Sequence, residues 1–305
     1  MRRLRRLLPI ALPIALMACA SPAIAQDAAP DPQGPDKAPD KTIVVTGGRA
    51  EKERVRKLSR AITPYVSRDE AMPRFTDPIC FVAAGLPRDY LVQIANRLAI
   101  DANEAGIRLA GDKCGPNVAV LFVDDGAKEL GDLRKLYPRL FGDMDADDVR
   151  AAIAEPGPVH AWWVAQTVSS SGHKQNAIGV GGGASNVATL RVESASVLVL
   201  PTRSDVGFAV ITIDRKALTG LSLTQIADYV AMRTLAGARP AQSGNDGTIL
   251  GLFDTRGEAL PEMSAFDRSY LKAVYDGQGN LRSSTKMNQV ARSITHDAAK
   301  SDTAP

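Results

Sequence analysis

The chain has 305 residues, 45% of them hydrophobic, with 37 Lys and Arg against 34 Asp and Glu for a formal net charge of +3. Four of those positives, Arg2, Arg3, Arg5 and Arg6, open a leader; without them the balance is 33 to 34, a net −1. The basic character is then a targeting feature and gives no support to nucleic-acid binding.

Met1 to Ala25 reads as a secretory signal, with a charged start and an apolar run, Leu7 to Ala20, too short to span a bilayer comfortably. Ala23-Ile24-Ala25 is an Ala-x-Ala site, which places cleavage between Ala25 and Gln26. Lipoprotein processing at Leu16-Met17-Ala18-Cys19 is the alternative, with the product anchored through Cys19. A periplasmic or secreted location is expected.

Residues 26–41 carry Pro30, Pro32, Pro35 and Pro39 and almost no apolar surface, so a disordered spacer is expected. Thr42-Ile-Val-Val-Thr-Gly-Gly-Arg49 resembles the short box through which outer-membrane receptors engage an energy-transducing periplasmic protein. Such receptors need a plug and a large barrel, for which the remaining length is far too small. An ordinary edge strand is the favoured reading.

A single globular body is expected over 42–290. Glu51 to Ile62 should be a charged helix with Val55, Leu58 and Ile62 inward. Ile79 to Ala84 reads as a strand. Pro87 starts a helix with an inward stripe of Leu91, Ile94, Leu98 and Ala102, and Val118 to Val123 is a second, buried strand. This strand–helix–strand unit predicts a parallel pair. Cys80 and Cys114 are the two cysteines left once Cys19 is removed or lipidated. In an oxidising compartment they most simply form one disulfide. Neither has a His nearby in sequence, which leaves a nucleophilic role little backing.

Asp124-Asp125-Gly126 follows the second strand, where open α/β sheets gather ligands. Two adjacent carboxylates could hold a hard cation, but Asp-Gly is a strong turn signal by itself, and a turn capping the helix from Ala127 to Tyr137 is favoured. Asp143 to Asp148 lacks the pattern of a calcium loop; Asp145 or Asp147 instead opens a short helix through Val149 and Ile153. Val159 to Val168 reads as a strand whose period of two sends Trp162 and Trp163 to opposite faces. His160 on this strand is a structural histidine by default and a general base only with a partner.

A flexible hairpin loop is expected over 169–186. Gly179 to Ala184 matches a nucleotide-binding glycine pattern, but the flanks lack the required strand and helix. Ser171 and Lys174 have the Ser-x-x-Lys spacing without its companion motifs. Val197 to Leu200 and Val206 to Ile213 should complete the sheet, with a turn at Pro201 to Asp205.

The clearest grammar follows. Ser222-Leu-Thr-Gln225 is a capping box for a helix with Leu223, Ile226, Val230 and Leu235 at helical spacing, ended at Gly237. Ser264-Ala-Phe-Asp267 opens another, striped by Phe266, Tyr270, Leu271 and Val274 and closed at Gly277. A short helix from Met287 to Ile294 and a flexible tail over 291–305 are expected last.

Leu223-Thr-Gln-Ile-Ala-Asp228, Asp246 to Asp254 and Met263 to Asp276 together resemble a family of secreted bacterial proteins of unknown function. The resemblance implies a layout similar to zincin-type metallopeptidases without a recognisable zinc motif. Zincins place two His and a Glu on a helix; here that helix offers Gln225 and Asp228, and a capping Gln with a solvated Asp is the favoured reading. The three histidines, 160, 173 and 296, are dispersed.

The fold class expected is α+β, a mixed sheet flanked by helices and, through the resemblance, zincin-like. The first functional reading is a non-enzymatic exported protein with a binding or envelope-associated role. The alternatives are a hydrolase assembled from Asp124, Asp125, His160 and Asp228, or a helper of outer-membrane transport acting through 42–49. No metal or cofactor residues are assigned, and no transmembrane span beyond the signal.

Overall fold

The computed structural model describes residues 49–63, 67–142, 144, 146–174, 176–179, 186–192, 199–242, 244–254 and 259–301. The signal, the proline-rich spacer, the box-like segment up to Gly48, Asp143, Asp145, residues 180–185 of the glycine-rich stretch and residues 193–198 lie outside the described residues; Val199 and Leu200, the described end of the strand expected from Val197, are not strand.

In chain order the elements are α1 (Arg49–Ile62), β1 (Phe81–Ala84), α2 (Arg88–Glu104), β2 (Val118–Val123), α3 (Gly126–Leu136), α4 (Ala146–Ile153) and β3 (Val159–Ser169). A two-stranded antiparallel ribbon follows, β4 (Asn176–Gly179) and β5 (Asn186–Thr189). Then come β6 (Thr202–Asp214), α5 (Leu223–Thr234), α6 (Ala265–Tyr275) and α7 (Ser283–Ser301).

The main sheet has the order β1-β2-β6-β3. β1, β2 and β6 are parallel, and β3 runs antiparallel to β6 on an outer edge. This is the expected α+β class with a mixed sheet. The strand period of two sorts side chains into two cores. Val118, Val120 and Phe122 of β2 join Ala209, Ile211 and Ile213 of β6 in the larger core, with apolar residues of α1, α2, α5, α6 and α7. Ala119 and Val210 face the other way and meet Leu130 of α3, Val149 and Ala152 of α4 and Trp162 of β3. Both faces are covered, which is why β2 and β6 read as near-continuous apolar runs.

The two tryptophans part as the strand period requires. Trp162 stacks on Phe141 at 5.2 Å in the smaller core. Trp163 meets Phe75 edge-on at 6.5 Å on the opposite side. Trp163 also explains Gly237: a Cβ there would lie 2.2 Å from the indole, and the backbone has φ +61°.

Cys80 and Cys114 form the disulfide, with Cα atoms 6.1 Å apart, and tie the approach to β1 to the approach to β2. Three expectations need correction. The turn placed at Pro201 to Asp205 is strand from Thr202 onward, pinned by an Arg203 Nε–Asp205 Oδ1 pair at 2.8 Å on one strand face and by pairing with Ser169 to Gln166. The last helix does not stop at Ile294 but continues to Ser301. No Gly or Pro interrupts it, and Val290 and Ile294 are anchored in the larger core. Finally, Asp228 is not solvated: every residue of α5 from Ile226 to Thr234 is buried. The helix lies between the sheet, α2 and the turn at Ile249–Gly251.

Candidate functional site

The carboxyl ends of β2 and β6 gather three of the residues singled out by sequence. Asp125 caps α3, its side chain accepting from Lys128 N at 2.9 Å. Asp124 pairs with Arg215 at 2.6 Å and is 87% exposed. Arg215 also donates to the carbonyls of Gly85 and Phe122, latching the ends of β1 and β2. Gly126 N donates to Asp214 Oδ1 at 2.7 Å. His160 lies against the same glycine, and a Cβ on Gly126 would come within 2.9 Å of its ring. His160 itself is 4% exposed, and its Nδ1 lies 3.1 Å from the Ala152 carbonyl oxygen. Asp125 thus caps α3 as expected, and His160 is a buried ring held against Gly126 and the Ala152 carbonyl.

Asp228 is elsewhere. It sits on α5 in the larger core, while His160 and Gly126 lie on the face of the smaller core, so the sheet separates them. The four candidate side chains do not converge. Nor is Asp228 solvated: it is fully buried and takes a two-point pair from Arg97 of α2, Nε to Oδ1 at 2.6 Å and Nη2 to Oδ2 at 3.0 Å. Met263 N donates to its Oδ2 at 2.5 Å. The same guanidinium reaches Asp101 Oδ1 at 3.3 Å and Glu262 Oε2 at 3.2 Å. Gln225 completes the capping box with Ser222, and its Nε2 donates to the Leu260 carbonyl at 2.7 Å. Burial first, and the neighbouring Asp228 next, push the Asp101 carboxyl up to about 7.

A cleft of about 750 Å³ opens at the edge of the sheet, between the α4–β3 connection and the far end of α5. Its walls include Glu155, Tyr229, Arg233, Arg239, Asn245 and Phe253. Because Val159 pairs with Ile213, this is also the carboxyl end of the parallel strands, where open sheets place ligands. Arg233 is 3% exposed and holds both oxygens of Glu155, at 2.6 and 2.8 Å. It donates to the Tyr229 hydroxyl at 3.2 Å, and its Nε has no hydrogen-bond partner among the described residues. Tyr229 meets Phe253 edge-on at 4.9 Å, and burial pushes its phenol upward. Glu155 Oε2 also accepts from Ala161 N on β3 at 3.4 Å, which fixes one wall to the sheet.

Sequence reading missed this cleft and the Arg97–Asp101–Asp228 set. Arg233 was legible only as a cation in a last helical turn, and its partner Glu155 lies 78 positions away. Asp101 carried a signal: it stands three positions after Leu98 on the apolar face of α2, where a carboxylate needs a partner. Among the described residues no group of three or more His, Cys, Asp and Glu side chains is arranged to hold a metal ion. No helix of the described residues is long and apolar enough to cross a membrane. Comparison of the chain with protein-family models, curated proteins and solved structures finds no match.

Proposed function

We propose that the protein is an exported, non-enzymatic binding protein whose ligand, a small amphipathic organic molecule, sits in the cleft bounded by Glu155, Arg233 and Phe253. The carrying observation is the cleft itself: about 750 Å³, within the size of small-molecule sites, with polar groups set among proline, alanine, leucine and aromatic walls. The Glu155–Arg233–Tyr229 chain is already ordered, so a ligand meets a shaped wall and little side-chain entropy is lost on binding. Arg239 and Gln242 stand exposed at the rim. The non-catalytic reading is supported by Asp125, His160 and Asp228, each spent on holding structure. Export is supported by the signal grammar and the Cys80–Cys114 bridge. The zincin-like layout suggested by the C-terminal segments stays within this reading, since α5 packs against β6 and the edge strand β3.

The test uses the mature chain and the dye 1-anilinonaphthalene-8-sulfonate, an amphipathic anion. Native protein should bind it saturably. Ala154→Trp, which fills the cleft from an exposed position, should weaken binding at least about tenfold, or 1.4 kcal/mol. Equal binding by both proteins, with both folded, removes the cleft as the site.

A further inference from the structure

We infer that Asp101 holds a proton up to neutral pH and donates it to Asp228, and that losing it as pH rises loosens the seam joining α2, α5 and the chain that enters α6. This inference does not rest on the cleft reading.

Charge and geometry carry it. Asp101 is 4% exposed and Asp228 fully buried. One guanidinium, that of Arg97, serves both. Two buried carboxylates against one cation leave a negative charge uncompensated, and such a charge is costly away from water. Asp101 Oδ2 is buried and accepts from no donor among the described residues. An orphan oxygen of that kind is satisfied if it carries the proton and donates it to its neighbour.

The surrounding charges do not supply the missing cation. Glu104 on α2 and Glu262 before α6 add negative charge nearby. Arg268 and Lys272 of α6 line the pocket of about 210 Å³ beside Asp101, but both are exposed, and Arg268 leans toward Glu262 at 3.9 Å. The raised Asp101 carboxyl agrees: burial leads, Asp228 adds to it, and Arg97 only partly opposes them.

The sign follows from linkage. Asp101 goes from an ordinary 3.8 to about 7 in the fold, so between those values the folded chain holds a proton that the unfolded chain lacks. Stability is greatest at the acid end of that window, falls as pH rises toward 7, and levels off above it. The reporter is the Met263 amide, which donates to Asp228.

Three readouts test the idea on the mature protein. The infrared band of a protonated carboxylic acid should be present at pH 6 and lost by pH 8. Hydrogen-exchange protection of the Met263 amide, corrected for its intrinsic rate, should fall about tenfold over the same span. In Asp101→Asn the side-chain amide donates to Asp228 at every pH, so the part of the band that titrates between pH 6 and pH 8 should be absent and Met263 protection should stay flat. A wild-type protein with no carboxylic-acid band at pH 6 overturns the proposal. So does an Asp101→Asn protein with the wild-type pH profile. Should Asp101→Asn fail to fold, the wild-type infrared titration decides alone.

Discussion

The helices on the two faces of the sheet handle charge in opposite ways. On the face covered by α2 and α5, Asp228 and Arg233 enter the core at 3% exposure or less. On the other face, α3 and α4 bury Leu130, Val149 and Ala152 and leave the Lys128–Asp132 and Arg150–Asp147 pairs at the surface. The cause is depth. α5 has the sheet on one side and α2 and the Ile249–Gly251 turn on others, so it has no wet face to receive a polar residue. α3 and α4 each have a single buried stripe, and their charges stay in water. Where a helix is enclosed, every polar side chain on it needs a designated partner. Where it is not, ion pairs are incidental and contribute little.

The largest effect that sharpens this contrast is Arg97→Met. It removes both bonds from the guanidinium to Asp228 and leaves that carboxylate buried without its cation, held by Met263 N and by whatever proton Asp101 retains. Breaking one side of a buried pair costs on the order of 3–5 kcal/mol. Urea unfolding at pH 7 should show a loss of that size, while Lys128→Met leaves the midpoint where it is. Equal midpoints for the two variants would mean that depth does not separate the faces.

Leu130→Ala should come next. Leu130 is fully buried in the smaller core, yet that core has few members. Its surroundings can close over part of the void, which places the expected cost near the low end of the leucine-to-alanine range, roughly 2–3 kcal/mol. A loss as large as that of Arg97→Met would show that the thin face is as tightly determined as the thick one.

The same contrast explains what could be read without coordinates. Local features were legible: the capping boxes at Ser222 and Ser264, the stripe from Val55 to Ile62, the parallel pair around Val118 to Val123 and the opposed tryptophans. Each depends on residues within one or two turns or one strand period. The buried charges were not legible, because their partners are remote: Arg97 and Asp228 stand 131 positions apart. Asp228 therefore looked like a solvated residue, and only enclosure by α2 changes that. The turn placed at Pro201 to Asp205 failed for a related reason. Its polar residues suggest a loop, but Arg203 and Asp205 satisfy each other along one face of an extended strand. Asp267 shows both sides at once: its capping role was local and visible, while its bonds from Thr248 Oγ1 and Ile249 N, at 2.5 and 2.8 Å, were not.

The smallest expected effect separates two adjacent carboxylates on the thin face. Asp125 accepts from Lys128 N and satisfies one of the free donors at the start of α3. Asp125→Ala should cost about 1 kcal/mol, the usual loss for an N-cap. Asp124 has a short pair with Arg215, but its side chain is 87% exposed. Solvent screens that attraction, and Arg215 keeps its bonds to the Gly85 and Phe122 carbonyls without it. Asp124→Ala should therefore stay within about 0.5 kcal/mol of wild type. If the two carboxylates instead held a hard cation together, the two substitutions would cost the same, and calcium would raise the melting midpoint of the wild type but of neither variant. Unequal losses with no response to calcium identify the pair as one cap and one surface residue, each set by its own neighbours.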